Sequence, residues 1–155
     1  MKKMLLLICL VCIFTACSQN PPSESSLDSI RINFNRTWVG TYGITFSGQN
    51  LCLQFSEFCS TEEGGKLINP VEKAVIKLDG QELETLQALY QSASFQSIDN
   101  TAPVMDDWWE VAVYRESNDE YFSVIDAVQG DSEKEFVSLL VQKVNSVVDH
   151  PIEYL

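Results

Sequence analysis

Trp38-Val39-Gly40-Thr41-Tyr42-Gly43-Ile44-Thr45-Phe46, then Ser47-Gly48-Gln49-Asn50, then Leu51-Cys52-Leu53-Gln54-Phe55, is the stretch on which the fold turns. Trp38, Gly40, Tyr42, Ile44 and Phe46 recur at every second position, with Val39, Thr41, Gly43 and Thr45 between them. A period of two sends alternate side chains to opposite faces of an extended chain, so the pattern predicts a strand with one aromatic face. Ser47 to Asn50 has turn composition, and Leu51, Leu53 and Phe55 resume the alternation. Together the two segments predict a β-hairpin.

Further along, Thr61-Glu62-Glu63-Gly64-Gly65-Lys66 reads as a loop and Asn69-Pro70 as a turn. Residues 73–78 alternate again, with Ala74, Ile76 and Leu78 inward and Lys73, Val75 and Lys77 outward, predicting a third strand. Asp79 stands three residues before Glu82, the spacing at which two carboxylates can each satisfy one free backbone amide at a helix start. Leu83, Leu86, Leu89, Tyr90 and Ala93 then share one side of a helix over residues 80–92. A polar loop through Asp99-Asn100-Thr101-Ala102-Pro103 leads to β-rich runs over 108–115 and 121–128, and Glu116-Ser117-Asn118-Asp119-Glu120 between them predicts a second hairpin. Gly130-Asp131-Ser132 opens a final helix, with Glu135 spaced for a capping box to Ser132. Phe136, Leu139, Leu140, Lys143, Val144 and Val147 recur at helical spacing, and His150-Pro151 must end it. The predicted order is β-β-β-α-β-β-α, an α+β fold with helices packed on one face of a mainly antiparallel sheet.

Upstream of this domain lies a different kind of sequence. Met1-Lys2-Lys3 is a short basic start, and residues 4–14 form an apolar run too short to span a bilayer comfortably. The run ends in Phe14-Thr15-Ala16-Cys17, where two small residues precede a cysteine, and Ser18-Gln19-Asn20-Pro21-Pro22-Ser23 follows. This arrangement resembles the signal peptide and lipobox of bacterial lipoproteins, with Phe14 standing where that family usually has Leu. The resemblance implies cleavage before Cys17, a diacylglycerol thioether on Cys17, and a further acyl chain such as palmitate on its amine. More than one chain gives stable anchoring where one is marginal. The absence of Asp at position 18, which is Ser18, implies by the same resemblance the outer membrane, facing the periplasm. Residues 1–16 are thus expected to be a signal peptide, 17–28 a lipidated cysteine with a flexible tether, and 29–155 a single globular domain.

Charge narrows the partners. The chain has 10 Lys and Arg against 22 Asp and Glu; loss of Lys2 and Lys3 with the leader leaves 8 bases against 22 acids, a formal −14. Such a field repels nucleic-acid backbones and anionic headgroups and admits a basic envelope or secreted protein. The membrane is then reached through acylated Cys17 alone.

Of the five cysteines, Cys9 and Cys12 depart with the leader and Cys17 takes lipid, which leaves Cys52 and Cys59 as an even pair in an oxidising compartment. A disulfide between them is expected; two thiolates without nearby histidines make a poor metal site. Catalytic constellations fare worse. His150 is the only histidine and lies beside a proline, and no G-x-S-x-G, H-E-x-x-H, phosphate-binding glycine loop or EF-hand spacing is present. The sequence implies no cofactor and no metal.

The candidate ligand-binding residues are Asp106, Asp107, Trp108 and Asp126. The first three lie in Asp106-Asp107-Trp108-Trp109-Glu110, where acids adjoin aromatic faces on which a sugar ring can stack. Trp109 shares a face with Val111 and Val113 and is expected in the core. Asp126 interrupts the apolar alternation of Phe122, Val124 and Val128, so it either faces water or needs a buried partner. The leading expectation is a protein-binding or inhibitory, immunity-like envelope lipoprotein without catalysis. A carbohydrate- or peptidoglycan-binding or carbohydrate-active domain using Trp108, and a structural or assembly lipoprotein, are the alternatives.

Overall fold

The computed structural model describes residues 26–57, 61–95, 109–115 and 130–153. Five strands form one antiparallel sheet: β1 Ile30–Arg36, β2 Gly40–Ser47, β3 Asn50–Ser56, β4 Val71–Lys77 and β5 Glu110–Arg115, in spatial order β4-β3-β2-β1-β5. Helices α1 Gly80–Ser92 and α2 Asp131–Asn145 complete the α+β fold.

The hairpin that opened the sequence reading is present as β2 and β3, closed by a two-residue turn at Gly48-Gln49 between the paired Ser47 and Asn50. Tyr42, Ile44, Phe46, Leu51, Leu53 and Phe55 are all buried, so the expected apolar face is the core face. Trp38 is a correction. The chain turns between Arg36 and Gly40, with the Val39 amide donating to the Arg36 carbonyl at 3.0 Å, so Trp38 sits at the tip of that turn and is 80% exposed.

A strand not anticipated, β1, supplies the middle of the sheet. Ile30, Ile32 and Phe34 face the core while Arg31, Asn33 and Asn35 face the other way. Among the described residues the order is therefore β-β-β-β-α-β-α; the second strand expected over 121–128 lies outside them. Leu27, in a 3-10 turn Leu27–Ser29, is also buried in the core.

Both helices lie on the core face. Asp79 caps α1 as its spacing requires: its carboxylate accepts from the Glu82 amide at 2.8 Å, and the Glu82 carboxylate accepts from the Asp79 amide at 3.0 Å. The helix begins just after Leu78, whose amide donates to Gln49 in the β2–β3 turn, and near its other end Tyr90 accepts from Arg115 at the end of β5. It therefore runs across one end of the sheet from the β4 side to the β5 side. α2 runs back antiparallel to it, held at one end by the Ser94 amide on the Glu133 carboxylate at 2.6 Å and at the other by the Lys143–Glu82 ion pair.

The expected capping box between Ser132 and Glu135 is not the device that starts α2. Gly130 occupies the cap without a side-chain bond, and Glu133 turns instead to the chain end that follows α1. The helix also stops at Asn145, two residues short of Val147; Asn145 then binds both backbone groups of Ile152, Nδ2 to its carbonyl and Oδ1 from its amide, which folds the tail back. Val147 is consequently exposed.

Phe34, Ile32, Ile44, Leu53, Leu86, Phe136 and Leu140 are each essentially inaccessible to water. Full burial of such a side chain contributes roughly 1.5–3 kcal/mol. At the sheet edge, β4 exposes Val71 and Val75, and the register passes from Leu53↔Ala74 to Gln54↔Glu72, which leaves Lys73 as the extra residue of a bulge.

Candidate functional site

The sheet face turned away from the helices is not open. Its central residues are Arg31, Asn33 and Asn35 on β1, Thr41 and Gly43 on β2, and Glu110, Ala112 and Tyr114 on β5, brought side by side by the register Arg31↔Tyr114, Asn33↔Ala112 and Asn35↔Glu110. The loop between β3 and β4 folds across them. Thr61 and Leu67 bridge its two sides, a 3-10 turn Glu63–Gly65 forms its crown, and Leu67 rests on side-chain-free Gly43.

Three side chains hold this loop by its backbone carbonyls. Arg31 donates to Gly64 at 2.8 Å, Asn33 Nδ2 to Gly65 at 2.8 Å, and Ser56 Oγ to Ile68 at 2.7 Å. Gly65 adopts a φ of +69°, and a Cβ there would lie 2.3 Å from two ring carbons of Tyr114. The loop thus seats on the Tyr114 ring only because residue 65 has no side chain.

The electrostatics follow from that cover. Burial lowers the Arg31 guanidinium from its ordinary pKa, with the nearby Tyr114 opposing the shift. Burial also raises the Tyr114 phenol, against hydrogen bonds from the Thr61 and Asn33 side chains. Glu110 is 8% exposed, and burial raises its carboxyl above the ordinary value. Asn33 is completely buried, and its Oδ1 has no hydrogen-bond partner among the described residues.

A second cluster lies at the end of the sheet remote from α1. Tyr42 stacks on Trp109 with ring centroids 5.7 Å apart and tilts against Phe55 at 4.9 Å. Arg36 lies over Trp109 at 5.9 Å and Lys73 over Phe55 at 5.0 Å, so two of the few cations of the domain cover aromatic rings. Burial raises the Tyr42 phenol, which hydrogen-bonds the backbone of His150. Trp109 is buried as expected, with Val111 and Val113 on the same core face. Trp38 projects from this end on the β1–β2 turn.

Of the residues singled out in the sequence, Cys17, Cys59, Asp106, Asp107, Trp108 and Asp126 lie outside the described residues. Cys52 is half-buried on the outer face of β3, opposite Thr45 and Val75, and is in no disulfide among the described residues. His150 is exposed.

The residues that sequence reasoning passed over are Arg31, Asn33 and Tyr114. Their signal was the alternation of Ile30, Ile32 and Phe34 with Arg31, Asn33 and Asn35. Chemically, the cluster acts as a fastening: Arg31, Asn33 and Ser56 each give a donor to a loop carbonyl. Among the described residues no group of three or more His, Cys, Asp or Glu is placed to hold a metal ion, and no helix is long and apolar enough to cross a membrane. No family model matches the chain, and no curated protein or solved structure matches it at a significant level.

Proposed function

We propose that the chain is a lipid-anchored protein of the bacterial envelope, held through acylated Cys17 at the outer membrane and facing the periplasm, and that it works by binding another protein. The observation that carries this reading is where the tether meets the domain. Residues 18–25 lead into the 3-10 turn Leu27–Ser29 at the start of β1, and the seven residues of β1 then carry the chain to the opposite end of the sheet. At roughly 3.3 Å per residue that separates the two ends by about 20 Å. A tether entering at one end leaves the other end clear of the attachment, where a partner can reach it.

The composition supports the same reading. A mature charge of −14 favours encounter with a basic protein and disfavours adsorption to anionic lipid or nucleic acid.

Two measurements test it. Cells expressing the chain and fed an alkyne analogue of palmitate should label it, and Cys17→Ala should abolish both the label and sedimentation with membranes; label retained in Cys17→Ala would refute the anchor. Reversible cross-linking in whole cells should trap a protein partner whose yield falls as salt rises. Recovery of peptidoglycan fragments with no protein would instead favour the carbohydrate-binding alternative.

A further inference from the structure

We infer that the end of the sheet bearing Trp38 is the docking surface, and that Trp38 is its anchor, inserted into an apolar pocket of a protein partner with net positive charge. The inference rests on the protein-binding reading above and adds the place and the chemistry.

Trp38 is the most exposed large apolar side chain among the described residues, at 80%. It is not carried on a loose segment. The turn that presents it spans three residues between Arg36 and Gly40, which are paired across β1 and β2, and is closed by the Val39 amide on the Arg36 carbonyl. Beneath the turn, Arg36 lies over Trp109, Trp109 stacks on Tyr42, and Tyr42 packs on Phe55, so the support is a continuous aromatic layer. An indole on a stiff base gives contact area at little entropic cost, and tryptophan is enriched among residues whose truncation costs most in protein interfaces.

Charge and position choose among occupants. A second copy of the chain would bring −14 against −14. An anionic lipid surface is disfavoured by the same charge, and the tether enters at the other end of β1. A basic protein meets neither objection, and the acidic domain would speed its encounter while the indole supplies short-range affinity. Exposed Glu57, Glu72, Asp149 and Glu153 outnumber the flanking cations Arg36 and Lys73 in the segments that reach this end.

The test uses the full-length anchored chain in its own cells, with the photo-cross-linker benzoylphenylalanine at position 38, and separately at Gln91 and Val75 as remote sites. The position-38 adduct should be a protein of net positive charge. With that protein purified, Trp38→Ala should raise Kd about thirtyfold, the loss of an interface anchor, whereas Trp38→Phe should raise it less. Added salt should raise Kd for wild type and variant alike. An adduct with an acidic protein, with lipid, with glycan or with a second copy of the chain overturns the inference, as does a Kd unchanged by Trp38→Ala. Adducts at Gln91 or Val75 but not at 38 would overturn the site while leaving the protein-binding reading standing. No protein adduct at any of the three positions would overturn both.

Discussion

Replacing Gly65 by alanine tests whether the β3–β4 loop is seated as tightly as its geometry indicates. Two costs add. Residue 65 has a φ of +69°, and an L-residue in the left-handed region costs roughly 1–2 kcal/mol. The new Cβ would also lie 2.3 Å from the Tyr114 ring, so the loop must lift. Lifting releases the Asn33–Gly65 and Arg31–Gly64 hydrogen bonds, at about 1 kcal/mol for the neutral bond and about 1.5 kcal/mol or more for the charged one. Gly48→Ala is the matched control: its φ is +57°, but a Cβ there meets nothing within 4 Å. Only the conformational cost applies to it. Urea unfolding of the leaderless domain with Cys17 replaced by serine should therefore show Gly65→Ala less stable than Gly48→Ala by about 2–3 kcal/mol. Equal losses in the two variants would refute a loop clamped against Tyr114.

Further outcomes are expected elsewhere in the fold. Burial holds the proton on Glu110 to higher pH in the folded chain than in the unfolded one. Its contribution to stability is therefore complete below the ordinary carboxylate pKa and is lost as pH rises through the raised value. Urea midpoints measured from about pH 4 to 7 should show this fall in the wild type relative to Glu110→Gln, and parallel curves would contradict it. Asp79→Ala removes half of the box that starts α1 and should cost about 1 kcal/mol in the same assay. Phe136→Ala empties a fully buried site packed against Tyr90 and Phe95 and should cost about 3–5 kcal/mol. Trp38→Ala should leave stability within about 0.5 kcal/mol of wild type, which makes its effect on binding readable.

What the sequence disclosed depended on whether local pattern and tertiary environment agreed. The β2–β3 hairpin and α1 were legible because alternation, turn residues and the Asp79–Glu82 spacing all act over a few residues. β1 was not, because Asn33 and Asn35 have poor intrinsic preference for strands, and Arg31 and Asn33 are accommodated by a loop contributed from some 30 residues away. Trp38 continued the alternation of β2 on paper, yet the chain had already turned at that point. Glu135 has the capping-box spacing to Ser132 and Glu133 does not, yet Glu133 is the carboxylate that the amide of Ser94 after α1 engages, a contact no local spacing encodes. The assembly of the polar cluster beneath the loop is a product of register between β1 and β5, two segments separated by nearly half the chain, and the local alternation in β1 does not encode that pairing.

The bulged edge strand would have a consequence for the domain if it is held on a membrane as proposed. Confinement to a surface brings identical copies into continual lateral collision, and an open strand edge is where sheets of neighbouring molecules would join. On the outer side of β4 no described strand is paired, but Lys73 breaks the regular spacing of its amides and carbonyls, and Lys73 and Lys77 would set like charges against those of a second copy. The same edge that leaves Val71 and Val75 in water thus carries features that discourage strand-to-strand joining, which would keep copies of an anchored domain apart under two-dimensional crowding.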